Sequence, residues 1–553
     1  MLSAEVDFVN STIHHTGNVF EDRELLILYD GFFLDVQSDV GAFLARTWRK
    51  YGTEFNQHVD GAYGLVVVNK RTWECWLTND PLGVHPIFYR FVRNSLAIES
   101  SLKKWQLESF EFDKGYLGDW LFHGGTVTKS TPVKGVSRLR RGECFLAKIG
   151  ELRLLRRWHP VTVNIPKSQS LTESCEMLRN AVTEAHSKYT ADLTQPLYEL
   201  SGGLDSSTLV ALAARQSQRK VKTMTWVLDP NGDDPDYRHS KILSRHYALD
   251  STFVDAKNLP KLNILNIGQK FEEPGFEFAP EYLVQTISIL SQTGSDALVS
   301  GVGGDNLFGV YGPPPYWLSQ TFRTKGLLEL LRILRAKDGR TPSVRSVLKN
   351  SYSYLIEPLF KMPGEGSDEV FLEKILTTSF FNDFIRPKKR IALDIKEVWQ
   401  KYYWSQIFAL VGNRAALSYM MPYQYRYPLL HPRLLSIGAA LQAHHNNSLS
   451  ADRLVQRKAF ADHLPVEIIQ RTDKGSSIKS EIDYLSADGV LPELTSPEKC
   501  VLVKMNVVRH ERWVEMIRRA QVGYFENIKA YDTLLKMELW LRSHSFYPPS
   551  LFN

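Results

Sequence analysis

Cysteine is scarce in this sequence: 553 residues contain four, Cys75, Cys144, Cys175 and Cys500. No two form a CxxC pair, and none stands at zinc-ligand spacing from a histidine. That excludes a disulfide framework and a Cys/His metal site, and leaves reduced, mostly buried thiols of a cytoplasmic protein. Long apolar runs are absent too; nothing approaches the roughly 20 residues needed to cross a membrane. The opening Met1–Asp7 lacks the basic start and apolar stretch of a secretory signal. Net charge is only +6. Basic residues gather at Arg138–Arg141, Arg153–Arg157 and Lys388–Arg390, where solvated faces are a commoner explanation than a nucleic-acid partner. The pairs His14-His15 and His444-His445 suggest metal only superficially, since adjacent histidines seldom face one ion.

With 43% hydrophobic and 23% charged residues, the chain has the composition of a soluble globular protein of two to four domains. Residues 1–160 are β-rich, with short apolar segments at 25–29, 64–69, 75–78 and 87–91 separated by Gly, Asn, Asp and Pro. The polar, Pro-bearing stretch 161–170 is a linker. Strand and helix patterns then alternate: helix 171–189, strand 196–200, helix 206–215, strand 221–228, helix 237–248, strand 251–254, helix 280–292, strand 297–300. This is an α/β pattern, the signature of a parallel, doubly wound sheet. Beyond about residue 316 the pattern is mainly helical. The organisation expected is therefore a β-rich domain at 1–160 and, at 161–553, an α/β domain with a helical C-terminal extension.

The segment Tyr198–Ser207 reads YELSGGLDSS and places a glycine pair between a strand and a helix. Glycine admits an anion close to the backbone, the helix start offers unpaired N–H groups, and Ser201, Ser206 and Ser207 add hydroxyl donors. A capped Gly-rich turn would explain any three of these residues, but not all of them in this context. No Walker lysine follows, and the near match at Gly124–Ser130 lacks the glycine before its lysine. A second loop, SGVGGDNLFG at 300–309, follows another strand. Carboxyl ends of parallel strands line a ligand crevice, so Asp205 and Asp305 can converge as hard oxygen ligands.

Ser201–Ser206 resembles the SGGxDS loop of the N-type ATP pyrophosphatases, and Ser300–Gly309 resembles the second acidic loop of the asparagine synthetase family. Asp60–Gly64, Asn79–Tyr89, Arg140–Cys144 and Arg157–Pro160 resemble that family's glutamine amidotransferase domain. Arg426–Arg433, with His431 where aspartate is usual, Arg453–Phe460 and Arg471–Lys474 resemble its later segments. The resemblance implies ATP and Mg2+ as cofactors. It implies Asp205 and Asp305 as metal ligands, and Leu200, Ser201, Gly202, Gly203, Asp205, Ser206, Ser207 and Gly301 about the nucleotide. It also implies Lys474 as the cation that stabilises an oxyanion. Glu273 and the Asp233/Asp234 pair read as surface residues.

Two departures matter. The family's glutaminase needs an N-terminal cysteine, and none precedes Cys75, so a degenerate, non-hydrolysing domain is expected. Val302 stands where asparagine synthetases carry glutamate and β-lactam synthetases carry tyrosine. With Gly303–Phe308 and Lys474–Ser477, the sequence is most similar to the lasso peptide cyclases. That resemblance implies adenylation of an Asp or Glu side chain of a precursor peptide, closure of a macrolactam by its N-terminal amine, and partnership with a leader peptidase and a leader-recognition protein. The alternatives are another amide ligase of the family and a silent scaffold.

Overall fold

The computed structural model describes the chain except residues 35, 37–38, 108–110, 124, 126, 162, 167–168, 230–233, 260–271, 275–279, 309–313, 336–342, 357, 359–366, 389–394, 396–397, 419–422, 442–452, 474–493, 523, 525 and 544–553. Lys474, His444-His445 and the Lys474–Ser477 segment lie outside the described residues.

The N-terminal region is built on two antiparallel sheets. One has five strands, with Ser3–Asp7 paired to Thr12–Thr16 on one side and Ser95–Glu99 on the other. The other has six, with Gly61–Asn69 at its centre between Leu25–Phe33 and Cys75–Asn79. Successive side chains of a strand face opposite ways. In Leu25–Phe33, Leu26 and Leu28 therefore meet Ala4 and Val6 of the first sheet, while Leu25 and Ile27 meet Leu44 and Trp48 of the helix Val40–Tyr51. Both faces of the six-stranded sheet are covered, which is why Ala62–Val68 is an unbroken apolar run.

The polar segment before Leu171 ends in a capping box. Ser170 Oγ accepts from the Glu173 amide at 3.2 Å, and the Ser170 amide donates to Glu173 Oε2 at 2.7 Å. This starts the helix Leu171–Thr190 and contributes about 1 kcal/mol. A five-stranded sheet follows, in the order Asp250–Asp255, Lys222–Val227, Leu197–Glu199, Ala297–Val299, Gln424–Arg426, with every pair parallel. The chain leaves the middle strand in one direction and later resumes on its other side. The seam between Leu197–Glu199 and Ala297–Val299 is therefore the switch point of the sheet, where α/β folds bind ligands. The last strand, Gln424–Arg426, lies within the stretch beyond residue 316 expected to be mainly helical. Three residues are too few for any periodicity to show.

The helical C-terminus takes up part of the N-terminal region. The helix Lys114–His123 inserts Tyr116, Leu117, Trp120 and Leu121 into the cluster that holds Trp513 and Trp540. Each such side chain contributes roughly 1.5–3 kcal/mol by leaving water. Among the described residues no helix is long and apolar enough to cross a membrane.

Candidate active site

The strand Leu197–Glu199 delivers the first loop, and Leu200 is pinned as it leaves. Its amide donates to the Met224 carbonyl at 2.8 Å, and its carbonyl accepts from Thr225 Oγ1 at 2.7 Å and Ser240 Oγ at 3.1 Å. Gly202 follows with φ +63°, a left-handed backbone, and a Cβ there would stand 2.6 Å from His239 Cβ. The loop closes on its own hydroxyls. Ser206 Oγ lies 3.1 Å from Ser201 Oγ and accepts from the Ser201 amide at 3.2 Å. The helix Leu204–Gln216 then begins at Gly203 with no side-chain cap, so its first turn borders the cavity with its amides and dipole.

The second loop descends from Ala297–Val299 onto the first. Gly304 sits directly against Asp205, and the short helix Gly304–Phe308 places Asp305 in its first turn. Both carboxylates take hydrogen bonds from Arg453. Nη1 donates to the two oxygens of Asp205 at 3.0 and 2.9 Å, and Nη2 donates to Asp305 Oδ1. Gln456, one turn further along the same helix, donates to Asp205 Oδ1 at 3.0 Å.

Arg471 ties the loop to its surroundings. Buried to 4% exposure, it donates to the Ser201 carbonyl at 3.0 Å, to Asp236 and to the Asp473 carbonyl at 2.8 Å. Arg457 donates in turn to the Arg471 carbonyl at 3.0 Å. Met224 and Trp226, from the neighbouring strand, supply apolar wall.

Leu200, Ser201, Gly203, Asp205, Ser206, Gly301 and Asp305 thus border one cavity of about 390 Å³, with Val302 beside them. Gly202 and Ser207 do not border it. Ser207 is fully buried, because Ser206 turns back to the loop and the next helical position faces the core. That corrects its expected role as a hydroxyl donor to the ligand. Leu200 meets the cavity with a side chain only 1% exposed. Lys474 is not described, but Asp473 immediately before it lines the wall. Arg453, Gln456, Arg471, Asp236 and Trp226 carry no role in the sequence reading. Arg453, Gln456 and Arg471 meet the loop across 248, 251 and 270 residues, and only the Arg453–Phe460 and Arg471–Lys474 resemblances pointed toward them.

Whether this arrangement suits Mg2+ follows from its donors. Asp205 and Asp305 converge on one cationic group, and carboxylate oxygens are the hard ligands that magnesium takes. Among the described residues no third His, Cys, Asp or Glu joins them. Two carboxylates, with the remaining positions left to phosphate oxygens and water, fit a nucleotide-bound Mg2+ better than a permanent metal.

Several residues read as surface are internal. Glu273 is fully buried, paired with Arg138 and accepting from the Tyr116 hydroxyl at 3.2 Å. Asp234 is buried as the cap of the helix Pro235–His246, accepting from the Asp236 and Tyr237 amides at 3.0 and 3.1 Å. Of the basic runs, Arg138–Arg141 is engaged internally, whereas Arg153 and Arg157 are 59% and 48% exposed on a solvated face, and Lys389 and Arg390 lie outside the described residues. Arg138 meets Glu273, Arg140 and Arg157 meet Glu143, and the Arg141 guanidinium lies 3.5 Å from the Phe408 ring centre. All four cysteines are buried, and burial pushes the Cys75, Cys144, Cys175 and Cys500 thiols up, Cys144 to about 12.

Comparison with known proteins decides the family. The asparagine synthase family profile matches residues 177–542 and a glutamine amidotransferase domain profile matches residues 7–159. The chain belongs to the asparagine synthase family. It is therefore an ATP-dependent ligase. A "putative asparagine synthetase [glutamine-hydrolyzing] 2" of Methanocaldococcus jannaschii is 21% identical over 69% of this chain and 73% of its own length. A "putative asparagine synthetase [glutamine-hydrolyzing]" of Mycobacterium tuberculosis is 27% identical over 38% of this chain and 33% of its own length, so the match spans a third of that relative. Among solved structures, an NH3-dependent NAD synthetase from Campylobacter jejuni matches at 14% identity over 43% of this chain and 97% of its own, with a TM-score of 0.20.

Proposed function

We propose that this family member is a lasso-type macrolactam synthetase, in which a peptide side-chain carboxylate is adenylated and then joined to the peptide's own N-terminal amine. The observation that supports the activation step is the convergence of Asp205 and Asp305 beside the Ser201–Ser206 loop at the switch point of the parallel sheet. Val302 on the same wall favours an amine that needs no acid or base at that position. None of the four cysteines offers a thiolate for glutamine hydrolysis.

The loop's hydroxyls and first-turn amides bind the phosphates, and Arg471 keeps the loop in place through the Ser201 carbonyl. Asp205 and Asp305 would hold Mg2+, which when bound neutralises charge on the departing pyrophosphate. The carboxylate oxygen attacks the α-phosphorus and pyrophosphate leaves. The amine then attacks the acyl carbon, AMP leaves with its phosphate oxygen, and the amine proton passes to solvent. Holding the amine beside the acyl adenylate is worth roughly 7–11 kcal/mol. We assign the oxyanion's cation to Lys474. Residues 1–160 act in this reading as a scaffold and peptide-binding surface, with a leader peptidase and leader-recognition protein delivering the substrate in the cytoplasm.

The amidotransferase match at 7–159 favours a second reading, amide formation from a small acid and ammonia. One assay separates the two. Incubation with a leader-cleaved precursor, ATP and Mg2+ is expected to release AMP and a peptide lighter by one water. AMP formed only with free aspartate and ammonia would overturn the cyclase reading.

A further inference from the structure

Arg453 is the residue whose position the proposed chemistry leaves unexplained. Its guanidinium reaches both carboxylates that a nucleotide-bound metal would need, spending Nη1 on the two oxygens of Asp205 and Nη2 on Asp305. The Arg453–Asp205 half of the contact is sheltered, with side chains 14% and 15% exposed, while Asp305 is 45% exposed. Charge-assisted hydrogen bonds in such a place are strong and directional. Arg453 also adopts a left-handed backbone, φ +54°, at the start of the helix Leu454–Ala459, a conformation unusual for a residue with a side chain. Such outliers are retained where the surroundings impose them, commonly at functional sites.

We propose that Arg453 is a resident counter-cation: it occupies the place between Asp205 and Asp305 in the nucleotide-free protein, and nucleotide-bound metal enters by displacing it. The inference rests on the metal assignment made above. A divalent ion entering alone must displace the Arg453 hydrogen bonds to both carboxylates. An ion arriving on a triphosphate brings an anion that can receive the displaced guanidinium. Gln456 donates to Asp205 Oδ1 at 3.0 Å and is fully buried, so it holds that carboxylate in place whether or not Arg453 is on it.

The test uses the full chain and Mn2+ alone, with the free ion counted by electron paramagnetic resonance in the absence of nucleotide. Wild type is expected to bind Mn2+ weakly, and Arg453→Ala to bind it at least about tenfold more tightly, since an opposing set of charged hydrogen bonds is gone. Unchanged or weaker binding in Arg453→Ala overturns the proposal. Should that variant fail to fold, Arg453→Lys carries the test: one ammonium cannot span both carboxylates in the manner of the fork, and a gain of at least about threefold is expected. No gain there overturns the proposal equally. Asp205→Asn in the Arg453→Ala background separates this from the underlying assignment. Loss of Mn2+ in the double variant keeps the metal at Asp205, whereas full retention overturns the metal assignment and the counter-cation with it.

Discussion

Gly304 lies directly against Asp205: a Cβ built on Gly304 would stand 2.2 Å from the Asp205 carboxyl carbon and 2.5 Å from its Cβ. The two loops of the site can touch only because that position carries no side chain. Gly304→Ala is expected to push the second loop off the first, lowering pyrophosphate release at least about tenfold, since small misplacements of catalytic groups have large kinetic effects. The thermal midpoint is expected to fall only modestly. A variant with wild-type turnover would show that the loops need not meet.

Asp205→Asn and Asp305→Asn keep the shape of each side chain and remove its charge. Each is expected to lower ATP-dependent AMP formation by about 100-fold or more, the scale on which a single well-placed electrostatic group acts. Circular dichroism and thermal melting are expected to remain close to wild type. Near-normal turnover in either variant would refute the metal assignment.

His186 makes stability depend on pH. Burial pushes its pKa down to about 4 from the ordinary 6.5, against a side-chain bond from Gln216, and its Nε2 lies 3.0 Å from the Tyr198 hydroxyl. The unfolded chain takes up a proton there near pH 6.5, the native chain only near 4. The stabilisation is therefore complete above 6.5 and lost as pH falls through that window, up to roughly 3 kcal/mol. Asp80 acts the other way. Burial raises its carboxyl to about 6 from 3.8, so protonation in the folded state favours folding as pH falls over that range. His186→Leu is expected to shrink the drop in thermal midpoint between about pH 7 and about pH 4.5 relative to wild type; an equal drop would exclude His186 as its source.

Arg138 and Glu273 form a buried pair across 135 residues of sequence, 6% and 0% exposed. Arg138→Leu alone leaves the Glu273 carboxylate buried with its charge uncompensated, and is expected to destabilise by about 3–5 kcal/mol in urea unfolding. Replacing both, Arg138→Met with Glu273→Leu, is expected to recover most of that loss. If the double variant were as unstable as the single, the pair's charge would not be what matters.

The legible parts of the molecule were those whose causes are local. The strand–loop–helix of 196–216 could be read because its glycines and hydroxyls sit side by side. The parallel sheet could be read because each strand and helix carries its own periodicity. Asp234 was misread although its signal was present: an aspartate just before Pro235 is a helix cap, and only burial distinguishes it from a surface turn. Glu273 was illegible, since nothing nearby announces Arg138. Arg453 and Arg471 belong to the same class. They meet the first loop across 248 and 270 residues, and no short-range pattern encodes such a meeting. The strand Gln424–Arg426 shows its pairing to Ala297–Val299 only in three dimensions.

The helix Lys114–His123, planted among the C-terminal helices, has a consequence for descent. Whatever chemistry the first 160 residues perform, the second half cannot be inherited without them: Trp540 would lose Phe112, and Glu273 would lose Arg138. Mutations in the front half are then filtered by what they do to the ligase behind it. Selection on one reaction then preserves the architecture of both regions.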